Sequence, residues 1–220
     1  MTDTGYTGHV EPGGPTAVRE LEHVLVRKAS VGDLDNNCYL LTSRATGAQL
    51  LIDAADDAPR LLEVVGVDGL QGLVTTHQHW DHVRALRDVV AATGAETVAG
   101  AADADALPVP VDRRVADGDV VTWGDCRLEV IHLVGHTPGS IALLYDDPEG
   151  TPHLWTGDCL FPGGPGRTIN PEDFTSLMGD LEAKVFDRLP DETWFYPGHG
   201  NDSTLGEQRP ALGEWRERGW

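Results

Sequence analysis

The sequence predicts a mixed α/β fold in which helices cover β-sheets. From about Leu21 onward, short apolar runs typical of β-strands alternate with segments that have the apolar periodicity of helices. This alternation favours sheets packed against helices over a helical bundle or a pure β-sandwich. No linker-like tract or internal repeat interrupts it, so we expect one domain over residues 17–220.

Residues 1–16 differ in composition from the rest of the chain. They are rich in Gly, Thr and Pro and contain no apolar run that could pack against a core. Terminal segments of this kind are usually poorly ordered unless other contacts hold them. We therefore expect a flexible N-terminal tail here, without the apolar core of a secretory signal.

Nine segments have the composition of β-strands and are bounded by turn-forming residues. In chain order they are Val24–Val26, Cys38–Thr42, Gln49–Asp53, Leu70–Thr76, Thr97–Ala99, Arg127–Leu133, Ile141–Tyr145, His153–Gly157 and Thr193–Tyr196.

Two helices are predicted from apolar spacing. The longer runs from Pro171 to Leu189, where apolar residues recur every three or four positions, Asn170 is a suitable N-cap and Pro190 ends the pattern. The second follows Trp80, and its buried side is expected to consist of Val83, Leu86 and Val89.

The charge excludes whole classes of function. The chain has 16 basic and 36 acidic side chains, a formal net charge of −20 at pH 7. Nucleic-acid binding depends on clustered Lys and Arg that neutralise phosphates, and an anionic surface repels anionic lipids. We therefore expect neither a nucleic-acid nor a membrane partner, and no run of apolar residues approaches the length of a membrane span.

The cysteines indicate the compartment. Cys38, Cys126 and Cys159 are odd in number and form no C-x-x-C pair, which argues against a disulfide framework. Together with the lack of a secretory signal, this predicts a cytoplasmic protein. The sequence assigns no oligomeric state.

The strongest chemical signal is the segment GLVTTHQHWDHVR. It places His77, His79, Asp81 and His82 within six residues, at the end of a predicted strand. If the strand continues through the segment, its period of two sends His77 and His79 to one side, where both rings can bind one metal. Asp81 and His82 then lie on the turn into the next helix and face a neighbouring position. This spacing favours two metals side by side.

Three further residues of metal-ligand type follow other predicted strands. They are His136 in VGHTPGS, Asp158 in WTGDCLF and His199 in YPGHGND. Each lies beside Gly or Pro residues that permit tight loops. Seven candidate ligands on four loops are sufficient for two metals. A set of solvated histidines and capping aspartates would not be expected to combine all four motifs.

With these motifs the chain resembles the metallo-β-lactamase-fold hydrolases, and most closely the glyoxalase II-like hydroxyacyl-thioester hydrolases. The motifs THQHWDH, GHTPGS, TGDCLFPGGPGRT and YPGHG match in kind and order, and the likeness spans roughly Leu21 to Pro210. The resemblance implies an αββα sandwich with its metal site at one edge of the two sheets. It also implies that the first metal is held by His77, His79 and His136, the second by Asp81, His82 and His199, and that Asp158 bridges both.

The resemblance and general metal chemistry imply the same reaction. Two adjacent divalent cations lower the pKa of a shared water towards neutrality, so a metal-bridging hydroxide is the expected nucleophile. It would attack the carbonyl of a small-molecule thioester, from which a thiolate leaves without a strong general acid. Asp81 and Asp158 are the expected catalytic residues. Zinc is the preferred metal, with iron and manganese as alternatives.

The substrate and the metal content stay open at this stage. Glutathione-dependent glyoxalase II enzymes append a helical C-terminal region that supplies thiol-binding residues, whereas only 21 residues follow His199 here. The thiol carrier is therefore not assigned. The main alternative is a persulfide dioxygenase, which shares the fold but uses one iron, held by position through His79, His136 and Asp158.

Three residues near these motifs have two interpretations each. Asp53 is either a hydrogen-bond acceptor for a ligand histidine or the cap of a turn. Cys159 follows Asp158 and is expected to face the opposite way, into packing, rather than to be a reactive thiol. Arg167 either meets a substrate carboxylate or is a solvated turn residue, and the latter is preferred.

Overall fold

Two mixed β-sheets enclose the central core of the structure, a computed structural model that describes residues 5–219. In the seven-stranded sheet, strands follow chain order, antiparallel from β1 to β4 and parallel from β4 to β7. Its strands are β1 (Ala17–Glu20), β2 (Val24–Val31), β3 (Asn36–Ser43), β4 (Gln49–Ile52), β5 (Gly72–Thr75), β6 (Glu96–Gly100) and β7 (Arg113–Val115).

The second sheet has six strands in the order β15-β14-β11-β10-β9-β8, and only its β11–β14 pair is parallel. Its strands are β8 (Val120–Trp123), β9 (Cys126–His132), β10 (Ile141–Tyr145), β11 (His153–Gly157), β14 (Trp194–Pro197) and β15 (Ser203–Thr204). A separate short hairpin consists of β12 (Leu160–Phe161) and β13 (Gly164–Pro165).

Helices cover the outer face of each sheet. They are α1 (Ala58–Val65), α2 (Leu86–Thr93), α3 (Pro171–Asp180), α4 (Leu205–Gln208) and α5 (Leu212–Arg218). Apolar side chains of α1 and α2 pack on the seven-stranded sheet, and those of α3 and α5 pack on the six-stranded sheet. A third apolar cluster lies between the sheets, where Trp155 stacks on Tyr196 with ring centroids 4.8 Å apart. The layers are therefore helix, sheet, sheet and helix, as the resemblance implied.

All nine predicted strands are present, with ends that shift by a few residues. The sequence did not reveal six short strands, of which β1, β7, β8 and β15 lie at sheet edges and β12 and β13 form the separate hairpin. Edge strands mix polar and apolar residues because one side faces solvent, so their alternation is weak.

The long predicted helix is present but changes its geometry. Regular α3 ends at Asp180, and the chain continues through a wider π-helical turn over Leu181–Phe186. Asn170 caps the helix as predicted, because its side chain accepts a hydrogen bond from the Asp173 amide. The second predicted helix begins at Leu86, and the preceding residues Trp80–His82 form a single tight turn.

The predicted N-terminal tail falls partly outside the described residues, which begin at residue 5. Within the described part, the Tyr6 hydroxyl donates to Asp202, and the Gly8 carbonyl accepts from the Lys28 ammonium. These contacts attach residues 6–8 to both sheets. The division into a tail and a single domain stays a prediction. No helix of residues 5–219 has the length and apolar character to cross a membrane.

We expect Leu41→Ala to destabilise the protein by about 2–5 kcal/mol, because Leu41 is fully buried between the sheets and its truncation leaves a cavity. Urea unfolding measures the loss. The matched control is Val67→Ala, at a fully exposed position, which should change the free energy of unfolding by less than about 0.5 kcal/mol. Equal effects of the two substitutions would contradict this description of the core.

Candidate metal centre

The structure brings all seven predicted ligand residues together at one edge of the two sheets. His77 and His79 lie just beyond the end of β5, and Asp81 and His82 lie on the following tight turn. Strand β5 ends at Thr75, so the two histidines do not owe their common orientation to a continued strand. The other three come from the loops after β9, β11 and β14, and they are His136, Asp158 and His199.

His77, His79 and His136 form the first group of side chains. One ligand atom from each lies within 4.8 Å of the others. Their ring centroids are 4.5–4.8 Å apart and the rings meet edge to face, as rings do when they converge on one point. Three converging imidazoles are a typical donor set for a divalent transition metal.

Asp81, His82 and His199 form the second group. The Nε2 atoms of His82 and His199 are 3.2 Å apart, and Asp81 Oδ2 lies 3.3 Å from His199 Nε2 and 3.7 Å from His82 Nε2. Two unprotonated ring nitrogens have no reason to face each other at this distance unless a proton or a cation lies between them.

Asp158 lies between the two groups. Its Oδ1 atom is 3.3 Å from His82 Nε2, and its Oδ2 atom is 3.4 Å from His199 Nε2 and 3.7 Å from His136 Nε2. The carboxylate is therefore within reach of both groups. Its role as a bridging ligand stays a prediction.

The far sides of the rings determine which nitrogen faces inwards. The Nδ1 atom of His82 lies 2.9 Å from Asp53 Oδ2, that of His136 2.7 Å from the Arg167 carbonyl, and that of His199 2.7 Å from the Leu34 carbonyl. A carbonyl or carboxylate oxygen accepts a hydrogen bond from a protonated Nδ1, which leaves the Nε2 lone pair free, as metal ligation requires.

Asp53 has the orienting position that was one of its two interpretations. Its Oδ1 accepts from the Thr76 amide, and its Oδ2 accepts from the Thr76 hydroxyl as well as from His82. Asp53 also lies within 4.8 Å of His77 and His82 as a third potential metal group. Because both carboxylate oxygens already accept hydrogen bonds, we assign it to orienting His82.

Asn36 is a site residue that sequence reasoning missed. Its side-chain amide donates to Asp81 Oδ2 at 3.0 Å and lies 3.4 Å from His199 Nε2. It therefore fixes Asp81 from the start of β3. The only available signal was a pair of asparagines at the beginning of an otherwise apolar strand.

The residues present fit a group of divalent cations. Three polar atoms of the site, His77 Nε2, His136 Nε2 and Asp158 Oδ1, are buried without a hydrogen-bond partner. Such atoms are costly unless something binds them. Gly198 keeps the space open, because a Cβ there would come within 2.0 Å of Asp158 Oδ1.

Burial and neighbouring carboxylates shift the pKa values of the histidines in opposite directions. Burial lowers the pKa of His77 well below its usual value, and burial likewise lowers the pKa of His136. Burial acts in the same direction on His82, but the carboxylates of Asp158 and Asp53 outweigh it and raise the pKa of His82 to about 10. Neutral and charged rings thus lie side by side around the carboxylate of Asp158.

Two further predictions concern neighbours of the ligands. Cys159 is fully buried, its Sγ faces the Leu133 carbonyl at 3.8 Å, and burial raises the pKa of its thiol to about 12. It is a packing residue, as expected. Arg167 is exposed, and its described contribution to the site is its carbonyl oxygen, which orients His136.

Comparison with known proteins identifies similar chains. The profile described as the metallo-beta-lactamase superfamily matches residues 31–199. A hydroxyacylglutathione hydrolase from Fuscovulum blasticum is 37% identical over 182 residues, which cover 81% of this chain and 67% of the relative. A protein of Aquifex aeolicus (strain VF5), described only as uncharacterized, is 30% identical over 210 residues, 87% of this chain and 98% of its own length.

The chain spans about two thirds of the length of the hydroxyacylglutathione hydrolases that it matches. Solved structures are similar as well. ETHE1 from Myxococcus xanthus has a TM-score of 0.74 at 29% identity and covers 84% of this chain and 81% of its own. TTHA1623 in a di-iron-bound form has a TM-score of 0.69 at 31% identity. The match covers 83% of this chain and 96% of TTHA1623.

We expect Asp158→Ala to abolish tight binding of divalent metal, because it removes the carboxylate that lies between the two groups of side chains. Metal content after dialysis, measured by elemental analysis, tests this. The matched control is Asp146→Ala, an exposed aspartate on the turn after β10 that is remote from the centre in sequence and fold. Normal metal content in Asp158→Ala would contradict the site.

The raised pKa of His82 predicts a pH dependence in protein stripped of metal. Because the folded pKa of about 10 exceeds the unfolded value, protonated His82 stabilises the fold below about pH 6.5, and this contribution is lost as the pH rises through 10. Unfolding free energies of His82→Gln should therefore fall less over this range than those of the parent. His23→Gln, an exposed histidine, is the control. Identical slopes in all three proteins would contradict the prediction.

Proposed function

The chain belongs to the metallo-beta-lactamase superfamily, and on that premise we propose that it is a dinuclear metal-dependent hydrolase of hydroxyacyl thioesters. The observation that supports it most directly is the position of Asp158 between two groups of three ligand-type side chains. Relatives that carry the name hydroxyacylglutathione hydrolase support the choice of a thioester of a low-molecular-weight thiol.

We assign His77, His79 and His136 to one metal, Asp81, His82 and His199 to the other, and Asp158 to both. When bound, two divalent cations, with zinc as the proposed metal, activate water near neutral pH and polarise a carbonyl oxygen. The protein provides the donor set in advance, because hydrogen bonds behind the rings already direct their Nε2 atoms inwards.

Asp81 and Asp158 are the proposed catalytic carboxylates. Both lie between ring nitrogens of different loops, and Asn36 fixes Asp81 by donating to its Oδ2. The carboxylates thereby share one small polar space in which a water can be oriented and its proton accepted. The thiol that leaves needs little protonation, because thiols ionise near pH 8.5.

Covalent catalysis by a thiol of this chain is not part of the proposal. Cys38, Cys126 and Cys159 are all buried, and burial raises the pKa of Cys38 and of Cys159 to about 12 and of Cys126 to about 11. A thiol with so high a pKa is a poor nucleophile at neutral pH.

The second candidate function is oxidation of a persulfide at a single iron held by His79, His136 and Asp158. His136 Nε2 and Asp158 Oδ2 are 3.7 Å apart, close enough to share one ion. Iron is also the metal in the described form of TTHA1623, which is 31% identical to this chain. Metal stoichiometry and oxygen demand separate this candidate from the hydrolase.

The proposal predicts that protein reconstituted with zinc releases glutathione from S-lactoylglutathione, and that protein treated with a chelator does not. Release of the free thiol, followed with a colorimetric thiol reagent, is the measurement. Asp158→Ala should lose the activity together with its metal, whereas Asp146→Ala should retain it.

Other outcomes identify the part that is wrong. If two zinc ions bind and glutathione is not released, glutathione is excluded as the carrier, and acyl thioesters of other small thiols are the next substrates. Failure with every thioester would overturn the hydrolase. One iron per chain together with oxygen uptake on a persulfide would establish the second candidate instead.

A further inference from the structure

A buried ion pair lies next to the loop that carries His199. The ammonium of Lys28, on β2, is 2.7 Å from Asp202 Oδ1, and neither side chain is exposed to solvent. The two residues are 174 positions apart in the chain. The pair therefore connects the seven-stranded sheet to the segment that follows β14.

Lys28 does more than neutralise Asp202. Its ammonium also donates to the carbonyls of Gly8 and Gly200, each at 2.7 Å. All three donors of the lysine are thus used. Gly200 directly follows His199, so one of these hydrogen bonds holds the backbone immediately after the proposed ligand.

Asn37 holds the same loop from both sides of His199. Its side-chain amide donates to the carbonyls of Pro197 and Gly200, each at 2.9 Å, and its backbone amide donates to the Gly198 carbonyl at 2.7 Å. The loop therefore has little freedom to move relative to β2 and β3.

The N-terminal segment closes over the pair. Asp202 Oδ2 accepts from the Tyr6 hydroxyl at 2.7 Å and from the Trp194 indole at 3.2 Å. Gly8 has a φ of +73° and approaches Asp202 so closely that a Cβ there would lie 2.7 Å from Asp202 Cβ. Close packing excludes water, which explains why both charges are fully buried.

Burying the two charges of this pair costs desolvation free energy. Burial lowers the pKa of Lys28 and raises the pKa of Asp202, which means that burial disfavours the charged form of each. Apolar residues of similar size often replace buried ion pairs without loss of stability. A role beyond stability is therefore the more economical explanation of this pair.

We propose that Lys28 and Asp202 are positioning residues, which fix the loop over residues 197–202 so that His199 Nε2 faces Asp81 and Asp158. We call the pair, with Tyr6, the loop clamp. This inference rests on the proposed function, because it assumes that His199 is a metal ligand. Within residues 5–219, the hydrogen bonds of the loop clamp involve Gly8, Gly200 and Trp194 and none of His77, His79 and His136, so we expect it to act on one metal and not on the other.

The test is a zinc titration against a competing chelator. We expect two tight sites in the parent protein. In Lys28→Met one dissociation constant should rise by about 10–100-fold, the usual effect of losing a residue that orients a ligand, and the other should stay unchanged. Histidine-ring NMR should show that the weakened ion is the one bound by His199.

A double variant separates positioning from stability. Lys28→Met with Asp202→Leu removes both charges and restores an apolar contact, so its unfolding temperature should exceed that of Lys28→Met. Its zinc affinity should stay weak at one site, because the hydrogen bond to the Gly200 carbonyl is still missing. Val121→Ala is the matched control for destabilisation, since Val121 is buried in β8, at the edge of the sheet opposite β14 and β15.

Several results would overturn the loop clamp. Parental affinity at both sites in the double variant would make the pair merely structural, and equal weakening of both sites, or the same weakening in Val121→Ala, would indicate general destabilisation. If Lys28→Met does not fold, Tyr6→Phe decides: a weaker single site supports the proposal, and parental affinity overturns it. Parent protein that binds two zinc ions but hydrolyses no thioester refutes the proposed function and leaves the loop clamp intact.

Discussion

The candidate metal centre depends on hydrogen bonds made on the far sides of its histidine rings. His82, His136 and His199 each present Nδ1 to an oxygen of Asp53, Arg167 or Leu34, and this contact directs Nε2 towards the interior. The surrounding structure holds the acceptor oxygens of these hydrogen bonds in place. Asp53 stands at the end of β4 in a left-handed conformation and is held by Thr76, so the orienting oxygen is itself fixed by the next strand.

The four loops of the centre owe their proximity to the strand order. His77 to His82 follow β5, in the middle of one sheet, while Asp158 and His199 follow β11 and β14, which are parallel neighbours in the other. Parallel neighbours end at the same edge of a sheet, so their following loops meet without long connections. The core between the sheets is large and apolar, and it fixes the distance across which the two sets of ligands face each other.

The parts of this arrangement that sequence could predict are those with local signals. The spacing of His77, His79, Asp81 and His82 and the Gly-flanked motifs around the other ligands are visible without a structure. Contacts between residues far apart in the chain have no such local signal. For this reason the interpretation of Asp53 stayed open and Asn36 was missed. The ion pair of Lys28 and Asp202 also joins distant positions. Likewise, helix α1 escaped detection because it is short and its N-cap, Asp57, has an unusual left-handed conformation.

Each sheet is built by one continuous half of the chain. Residues 17–115 form the seven-stranded sheet, residues 120–204 form the six-stranded sheet, and the connection between them is a tight turn. The first half contributes four of the seven candidate ligand residues and the second half contributes three. Neither half contains either group of three side chains completely, so the candidate metal centre forms only when the halves dock. An ion shared by Asp158 and the His82 group would join the two halves as a cross-link, in the way that a cofactor joins subunits of an oligomer.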